Sequence, residues 1–222
     1  MNNIAVLIPT IFRPEGLERV INSLSQDNVD IYVAREFDDF TAYNICAKHG
    51  IKSIICVKPN RGPAYAWNVA LQRAEGVSKY SAYFLGSDDI VFEYGWLEET
   101  LSVLDCQLHG SGLVGVNDGT GKYERAGFAT QYLMTRDFIV KENGGVAACP
   151  HYLADFVDVE SCERAKNANK FAYAKNAIVR HLWRQVDDLA YQRADGRRVR
   201  MRELYLQRLS KNFPDDFERI IS

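Results

Sequence analysis

Residues 81–96 read SAYFLGSDDIVFEYGW, and the parsing of this stretch decides the fold. Residues 81–85 are a short apolar, aromatic-rich run with the length of a strand buried on both faces. The run stops at Gly86-Ser87-Asp88-Asp89, where two adjacent carboxylates follow a glycine and a serine. In an open α/β sheet, ligands bind just beyond the carboxyl ends of the strands. Carboxylates at that place are hard oxygen donors, suited to Mg²⁺ or Mn²⁺ and to the phosphates such ions carry. Gly, Ser and Asp are also ordinary turn formers, so the pair reads either as a metal site or as a plain strand-ending turn. The surrounding chain bears on that choice.

Upstream, the same punctuation recurs. Residues 4–8 (IAVLI) form a strand run ended by Pro9-Thr10. Arg13-Pro14-Glu15 then opens a helix whose apolar stripe is Leu17, Val20, Ile21 and Leu24. Residues 30–34 form a second strand, followed by an acidic stretch with Glu36, Asp38 and Asp39. A helix over 41–49 closes at Gly50, and 53–57 form a third strand. Asn60-Arg61-Gly62-Pro63 leads into a helix that runs to Gly76. The order is β-α-β-α-β-α-β, and the strands are continuous apolar runs rather than alternating ones. That combination predicts an α/β fold: a Rossmann-like, mostly parallel, doubly wound sheet flanked by helices.

Downstream, 94–104 reads as a helix, 112–116 as a strand and 117–122 as a Gly-rich loop. The alternation then weakens. The pattern gives a strand over 126–130, a short helix over 135–142 and a helix over 159–168. Strand pieces at 171–174 and 177–179 lead to His181, and a charged helix over 186–209 breaks at Asp195-Gly196. No internal repeat or linker interrupts the chain. It reads as one domain of 222 residues in two halves (1–90 and 91–185) with a basic C-terminal tail (186–222).

A hydrophobic content of 47% with 25% charged residues is ordinary for a globular protein. A net charge of −2 gives no global pull toward nucleic acid or an anionic membrane. No segment approaches the ~18 apolar residues of a membrane span. The five cysteines are odd in number, scattered and without a CxxC pair. They argue against a disulfide framework or zinc knuckle and for a reducing compartment, and the N-terminus lacks a basic signal-like region. The expected location is cytoplasmic.

Five motifs, each weak alone, occur in one order with sensible gaps: Ile8-Pro9-Thr10 with Arg13-Pro14; the acidic turn Glu36, Asp38, Asp39; Asn60-Arg61-Gly62 with Asn68; Leu85-Gly86-Ser87-Asp88-Asp89; and Asp158-Val159-Glu160 with Arg164 and His181. In this order they resemble the inverting glycosyltransferases of family 2, which have the GT-A fold, over residues 4–183. The resemblance implies a single GT-A-like domain that moves a sugar from a nucleotide donor, a UDP-sugar first, to an acceptor hydroxyl with inversion. It assigns the nucleotide base to Glu36, Asp38 or Asp39, and the rest of the donor to Pro9, Thr10, Arg13, Arg61, Gly62, Asn68, Ser87 and Asp88. It assigns Mn²⁺ or Mg²⁺ to Asp88 and Asp89, with His181 as a further ligand. The family usually carries an acid where Gly86 stands, and position 157, often Glu in the acidic pair, is Val here. The base is therefore Asp158, the direct match, or Asp155.

The chemistry fits these residue types. A departing diphosphate needs neutralising, which a divalent ion does by bridging phosphate oxygens. The acceptor hydroxyl must lose a proton to a carboxylate within hydrogen-bond reach. An acidic cluster at 155–160 equally reads as the cap of the helix that follows. Arg13 and Arg61 read as phosphate contacts or as surface ion pairs. Trp67 reads as core, whereas Trp96 and Trp183 are core or line the acceptor cleft. Between residues 180 and 211, Arg and Lys outnumber Asp and Glu by nine to four. Such a run reads first as a solvated helix face, then as a lid over the diphosphate, then as a track for an anionic acceptor. The acceptor classes open are a glycan, a small molecule or a modified nucleic acid. Two other readings stand beside transfer. One is a nucleotidyltransferase, whose Gly-rich, Lys-bearing loop is missing after the first strand; the other is an inactive glycan- or nucleic-acid-binding derivative.

Overall fold

The structure, a computed structural model, describes residues 3–51, 53–56, 58, 61–182 and 188–222, with 188–194 by backbone alone. Asn60, Trp183 and Arg184 lie outside the described residues. The first half follows the predicted alternation: β1 (Ile4–Thr10), α1 (Pro14–Ser23), β2 (Asp30–Glu36), α2 (Phe40–Lys48), β3 (Ser53–Cys56), α3 (Gly62–Glu75) and β4 (Ala82–Leu85). These four strands pair in parallel in the order β3-β2-β1-β4. Both faces of β1 are buried, which is why it lacks alternation. Ala5 and Leu7 belong to the apolar cluster that contains Trp67, Ala70 and Leu71 of α3. Ile4, Val6 and Ile8 belong to the cluster of Leu17, Val20 and Ile21 of α1. The chain adds β2 and β3 on one side of β1 and then places β4 on the other. The boundary between β1 and β4 is therefore a topological switch point, where a crevice opens at the strands' carboxyl ends.

The second half adds β5 (Ile90–Phe92), α4 (Trp96–Leu108), β6 (Leu113–Asn117), α5 (Lys122–Ala126), β7 (Tyr132–Thr135), α6 (Arg136–Lys141), α7 (Val157–Asn167), β8 (Phe171–His181) and α8 (Asp188–Leu209). It completes one eight-stranded sheet, β3-β2-β1-β4-β7-β6-β8-β5. The sheet is mixed rather than uniformly parallel. Strand β7 runs antiparallel to both β4 and β6, and β5 runs antiparallel to β8. A parallel return to the sheet usually needs a helix long enough to span it. The link before β7 carries only the five-residue α5.

Three local expectations change. The strand expected over 126–130 lies at Tyr132–Thr135, because α5 ends at Gly127, which takes a left-handed φ of 75°. The two pieces at 171–179 are one strand, β8, with an irregularity in its pairing to β6. The helix α8 runs through Asp195-Gly196. A single helical glycine costs only about 1 kcal/mol relative to alanine, and the burial of Met201 and Arg208 outweighs it. Trp96 is core, edge-to-face with Phe84 and with its indole N–H bonded to Asp27. Among the described residues no helix is long and apolar enough to cross a membrane, and all five cysteines are free thiols.

Candidate active site

The residues before and after the switch point meet directly. Thr10, the last residue of β1, donates its hydroxyl to Asp88 Oδ2 at 2.8 Å. Arg13, just before α1, donates to Asp88 Oδ1 at 2.8 Å and reaches Asp89 Oδ2 at 3.5 Å. Helix α1 can come this close because residue 16 is glycine. A Cβ there would lie 2.4 Å from the Asp88 carbonyl oxygen. The Ser87 hydroxyl donates to Asp89 Oδ1. The end of β8 brings His181 to the same place, with Nε2 3.4 Å from Asp89 Oδ1. Two backbone bonds hold that approach, from Leu182 N to the Asp89 carbonyl (2.8 Å) and from His181 N to the Asp118 carbonyl (3.1 Å). Behind the pair, the Trp67 indole donates to the Gly86 carbonyl at 2.8 Å.

These groups line one cavity of about 1120 Å³. Of the residues expected from sequence, Pro9, Thr10, Arg13, Glu36, Arg61, Gly62, Ser87, Asp88, Asp89, Asp155, Asp158 and His181 share its wall. Three do not. Asp38 is exposed on the turn after β2. Asp39 is buried as the N-cap of α2, accepting from Ala42 N at 3.0 Å and from Phe12 N at 2.7 Å, so it ties the β1 and β2 loops together. The Asn68 amide is spent on backbone: it donates to the Ala148 carbonyl at 2.7 Å and accepts from Ala147 N at 2.9 Å. Asn68 is a strut between α3 and the 147–148 segment.

The carboxylates divide by environment. Burial pushes the Asp88 carboxyl up to about 6, against the opposing pull of Arg13. Burial likewise pushes Asp158, at the start of α7, up to about 6, while its hydrogen bond from Val159 N opposes the rise. Asp155 is also raised by burial, with Arg198 pulling it down. Asp158 follows Phe156, a non-glycine residue held at φ 72°, whose ring stacks on Tyr205 of α8 at 5.4 Å. Helix α8 thus packs against the turn that presents Asp158.

No protein-family model matches the chain, and no curated protein matches it in sequence. Solved structures do match in fold. A mannosyltransferase from Pyrobaculum calidifontis, PcManGT, in complex with GDP-Man and Mn²⁺, superposes with a TM-score of 0.64 at 13% identity over 81% of this chain. Residues 1–349 of S. aureus TarS in complex with UDP give 0.63 at 15% identity over 80%. Glucosyl-3-phosphoglycerate synthase from Mycobacterium tuberculosis, with Mn²⁺, UDP and glucosyl-3-phosphoglycerate, gives 0.60 at 15% identity over 85%. The fold is GT-A. The matched regions cover 56%, 59% and 75% of those three chains, so this chain spans little more than half of the first two.

Among the described residues no three His, Cys, Asp or Glu side chains converge as a ready-made cation cage. A nucleotide-bound Mg²⁺ or Mn²⁺ does not need one, because one or two carboxylates, phosphate oxygens and waters complete its shell. Asp89 Oδ1 and His181 Nε2, 3.4 Å apart, have the spacing of neighbouring ligands, and the donor set fits. Both carboxylates carry protein donors, Asp88 from Thr10 and Arg13 and Asp89 from Ser87 and Arg13, and Asp89 is the one that His181 faces.

Several wall residues carried no signal in the sequence. Gln131, just before β7, lies with Nε2 3.2 Å from His181 Nδ1. Thr120, Lys122 and Tyr123 come from the loop after β6 and from α5, whereas Arg197 and Arg198 of α8 belong to the basic run for which a lid over the diphosphate is one of the sequence readings. The tail is therefore no uniformly solvated face. Arg208 is 3% exposed and, with Arg164, grips the buried carboxylate of Glu160. Glu160 and Arg164, matched to the family pattern by spacing, form this structural lock and do not line the cavity.

Proposed function

We propose that this chain is a metal-dependent glycosyltransferase that moves a sugar from a nucleoside diphosphate donor, a UDP-sugar first, to an acceptor hydroxyl with inversion. One observation carries the reading. A single cavity has the Asp88-Asp89 pair and His181 on one wall and the raised carboxyl of Asp158 on another. Asp89 and His181 would hold Mn²⁺ or Mg²⁺, which when bound would neutralise the diphosphate leaving group. Thr10 and Arg13 fix Asp88 in place, and Asp88 in turn orients the loop that presents Asp89. Glu36, at the end of β2 on the cavity wall, would receive the base or ribose, and Arg61 at the head of α3 would offer a guanidinium to phosphate. Asp158 takes the proton of the acceptor hydroxyl as the new bond forms, with Asp155 the neighbouring carboxylate that can substitute for it.

The test is calorimetric titration with UDP, with and without Mn²⁺, on the wild type and on Asp89→Asn. The expected result is UDP binding at least about tenfold tighter with Mn²⁺, an increment that Asp89→Asn removes. Equal UDP affinity in all four conditions would remove the metal from the reading. No UDP binding under any condition would remove the uridine assignment and favour a binding-only role for the fold.

A further inference from the structure

We propose that Gln131 is a positioning residue that decides which imidazole nitrogen of His181 is open to a divalent cation. This rests on the reading of Asp89 and His181 as cation ligands. A neutral imidazole carries a single N–H, and the hydrogen bond at one nitrogen fixes what the other can do. Gln131 Nε2 donates toward His181 Nδ1 at 3.2 Å, and Gln131 Oε1 accepts from the Thr130 hydroxyl at 2.7 Å. With Nδ1 as acceptor, the ring proton sits on Nε2, facing Asp89 Oδ1 at 3.4 Å. In that arrangement Nε2 has no lone pair to give.

Ligation through Nε2 requires the proton on Nδ1 and an acceptor beside it. A half-turn of the Gln131 amide supplies one, since Oε1 then accepts from Nδ1–H while the NH₂ donates to the Thr130 oxygen. Thr130 permits this because a hydroxyl accepts as readily as it donates. The ring keeps one proton throughout, losing it at Nε2 and gaining it at Nδ1 by exchange with water. Both ends of the amide keep a partner in both states, which matters because Gln131 is 3% exposed and a buried polar orphan is costly. Its backbone carbonyl accepts from Val116 N at 3.2 Å, so the residue stays between β6 and β7 while its amide turns. An aliphatic side chain would serve neither state. A carboxylate would serve the cation-binding one, since it accepts from Nδ1–H without turning.

The experiment measures Mn²⁺ affinity by electron paramagnetic resonance, at saturating UDP, on the wild type, Gln131→Met, Gln131→Glu and Asp89→Asn. Beside it, ¹⁵N NMR of the His181 ring reads the tautomer with and without Mg²⁺ and UDP. The expected results are Mn²⁺ binding about 10- to 100-fold weaker in Gln131→Met and at least as tight as wild type in Gln131→Glu. The ring should move from Nε2–H without cation to Nδ1–H with it. The same tautomer in both states would overturn the proposal, as would wild-type Mn²⁺ affinity in Gln131→Met. Equal weakening in Met and Glu variants would reduce Gln131 to packing and overturn it too. Wild-type protein that binds UDP without regard to cation would instead defeat the donor-site reading, and this inference with it.

Discussion

Replacing Arg208 by Met tests whether the basic tail is a lock rather than a solvated face. Arg208 donates from Nε to Glu160 Oε2 at 2.9 Å and from Nη2 to Glu160 Oε1 at 3.1 Å. It also donates to Asp216 at 2.6 Å and to the Pro214 carbonyl at 2.9 Å. Glu160 is 1% exposed and receives two further donors, Arg164 Nε at 3.0 Å and the Tyr152 hydroxyl at 2.8 Å. Methionine preserves most of the volume and removes the charge. Breaking a buried ion pair costs about 3–5 kcal/mol when one charge is left uncompensated. Arg164 and Tyr152 still hold Glu160, so the low end applies, about 3 kcal/mol. The bond to half-exposed Asp216 adds well under about 1 kcal/mol. For a chain of this size each kcal/mol moves Tm by roughly 2–4 °C, so Arg208→Met should melt about 6–12 °C below wild type by calorimetry. Arg202→Met, on the exposed side of the same helix, should change stability by no more than about 0.5 kcal/mol. A double variant with Glu160→Gln should lose less than the two single losses summed, because the residues share one network. If Arg208→Met melts with Arg202→Met, the lock does not exist and α8 is not held by it.

Asp158→Asn should lower kcat about 10²- to 10⁴-fold with UDP affinity unchanged, and in the wild type kcat/KM should climb as pH rises through about 6, where Asp158 loses its proton. The stability effect has the opposite sense. Because the folded-state value lies above the ordinary 3.8, the folded chain favours the protonated form, and ionising Asp158 costs stability that grows between these two pH values and is complete above the upper one. Asp158→Asn should therefore melt above wild type at pH 8 and level with it at pH 4; a lower melting point at pH 8 would contradict the burial argument. Gly62→Ala should destabilise by about 2–4 kcal/mol in urea unfolding, since residue 62 has φ 78° and a Cβ would meet the Leu153 carbonyl oxygen at 2.0 Å. A loss below about 1 kcal/mol would mean that the loop at Leu153 yields freely.

The first half of the fold is legible in the sequence because β1 and β4 are buried on both faces, β2 is buried along its centre, and each helix begins or ends on Pro or Gly. Ile4–Ile8 needs no partner to be recognised, since nothing in it alternates. The second half is harder for a physical reason. Strand β5 is three residues long and β7 four, too short to display a period, and they are strands only because β8, β4 and β6 lie alongside. Gly196 looks like a helix break to any local rule. It is overruled by contacts of Met201, Tyr205 and Arg208, which lie within the same helix but bind elements far away in the chain.

The candidate site divides along the same line. Asp88, Asp89 and His181 stand out because they follow apolar runs, and a strand end is where an α/β sheet exposes side chains; Asp158, in the first turn of α7, is picked out only by the family pattern. What each does is set by partners that no local pattern contains. Asp88 and Asp89 are chemically identical neighbours, yet the first is bound by Thr10 and Arg13, 78 and 75 residues earlier, and the second is approached by His181 from the end of β8. The same holds for Asp39 and Glu36, three residues apart. Asp39 sits at a helix start and is consumed as a cap, while Glu36 at the strand end faces the cavity. A spacing rule finds the acids; which of them are already neutralised by the fold decides which remain for a cation or a substrate. Arg13 reaches both Asp88 and Asp89, so it is the approach of His181 that ranks Asp89 above Asp88 as cation ligand, an order the sequence leaves open and the Asp89→Asn titration addresses.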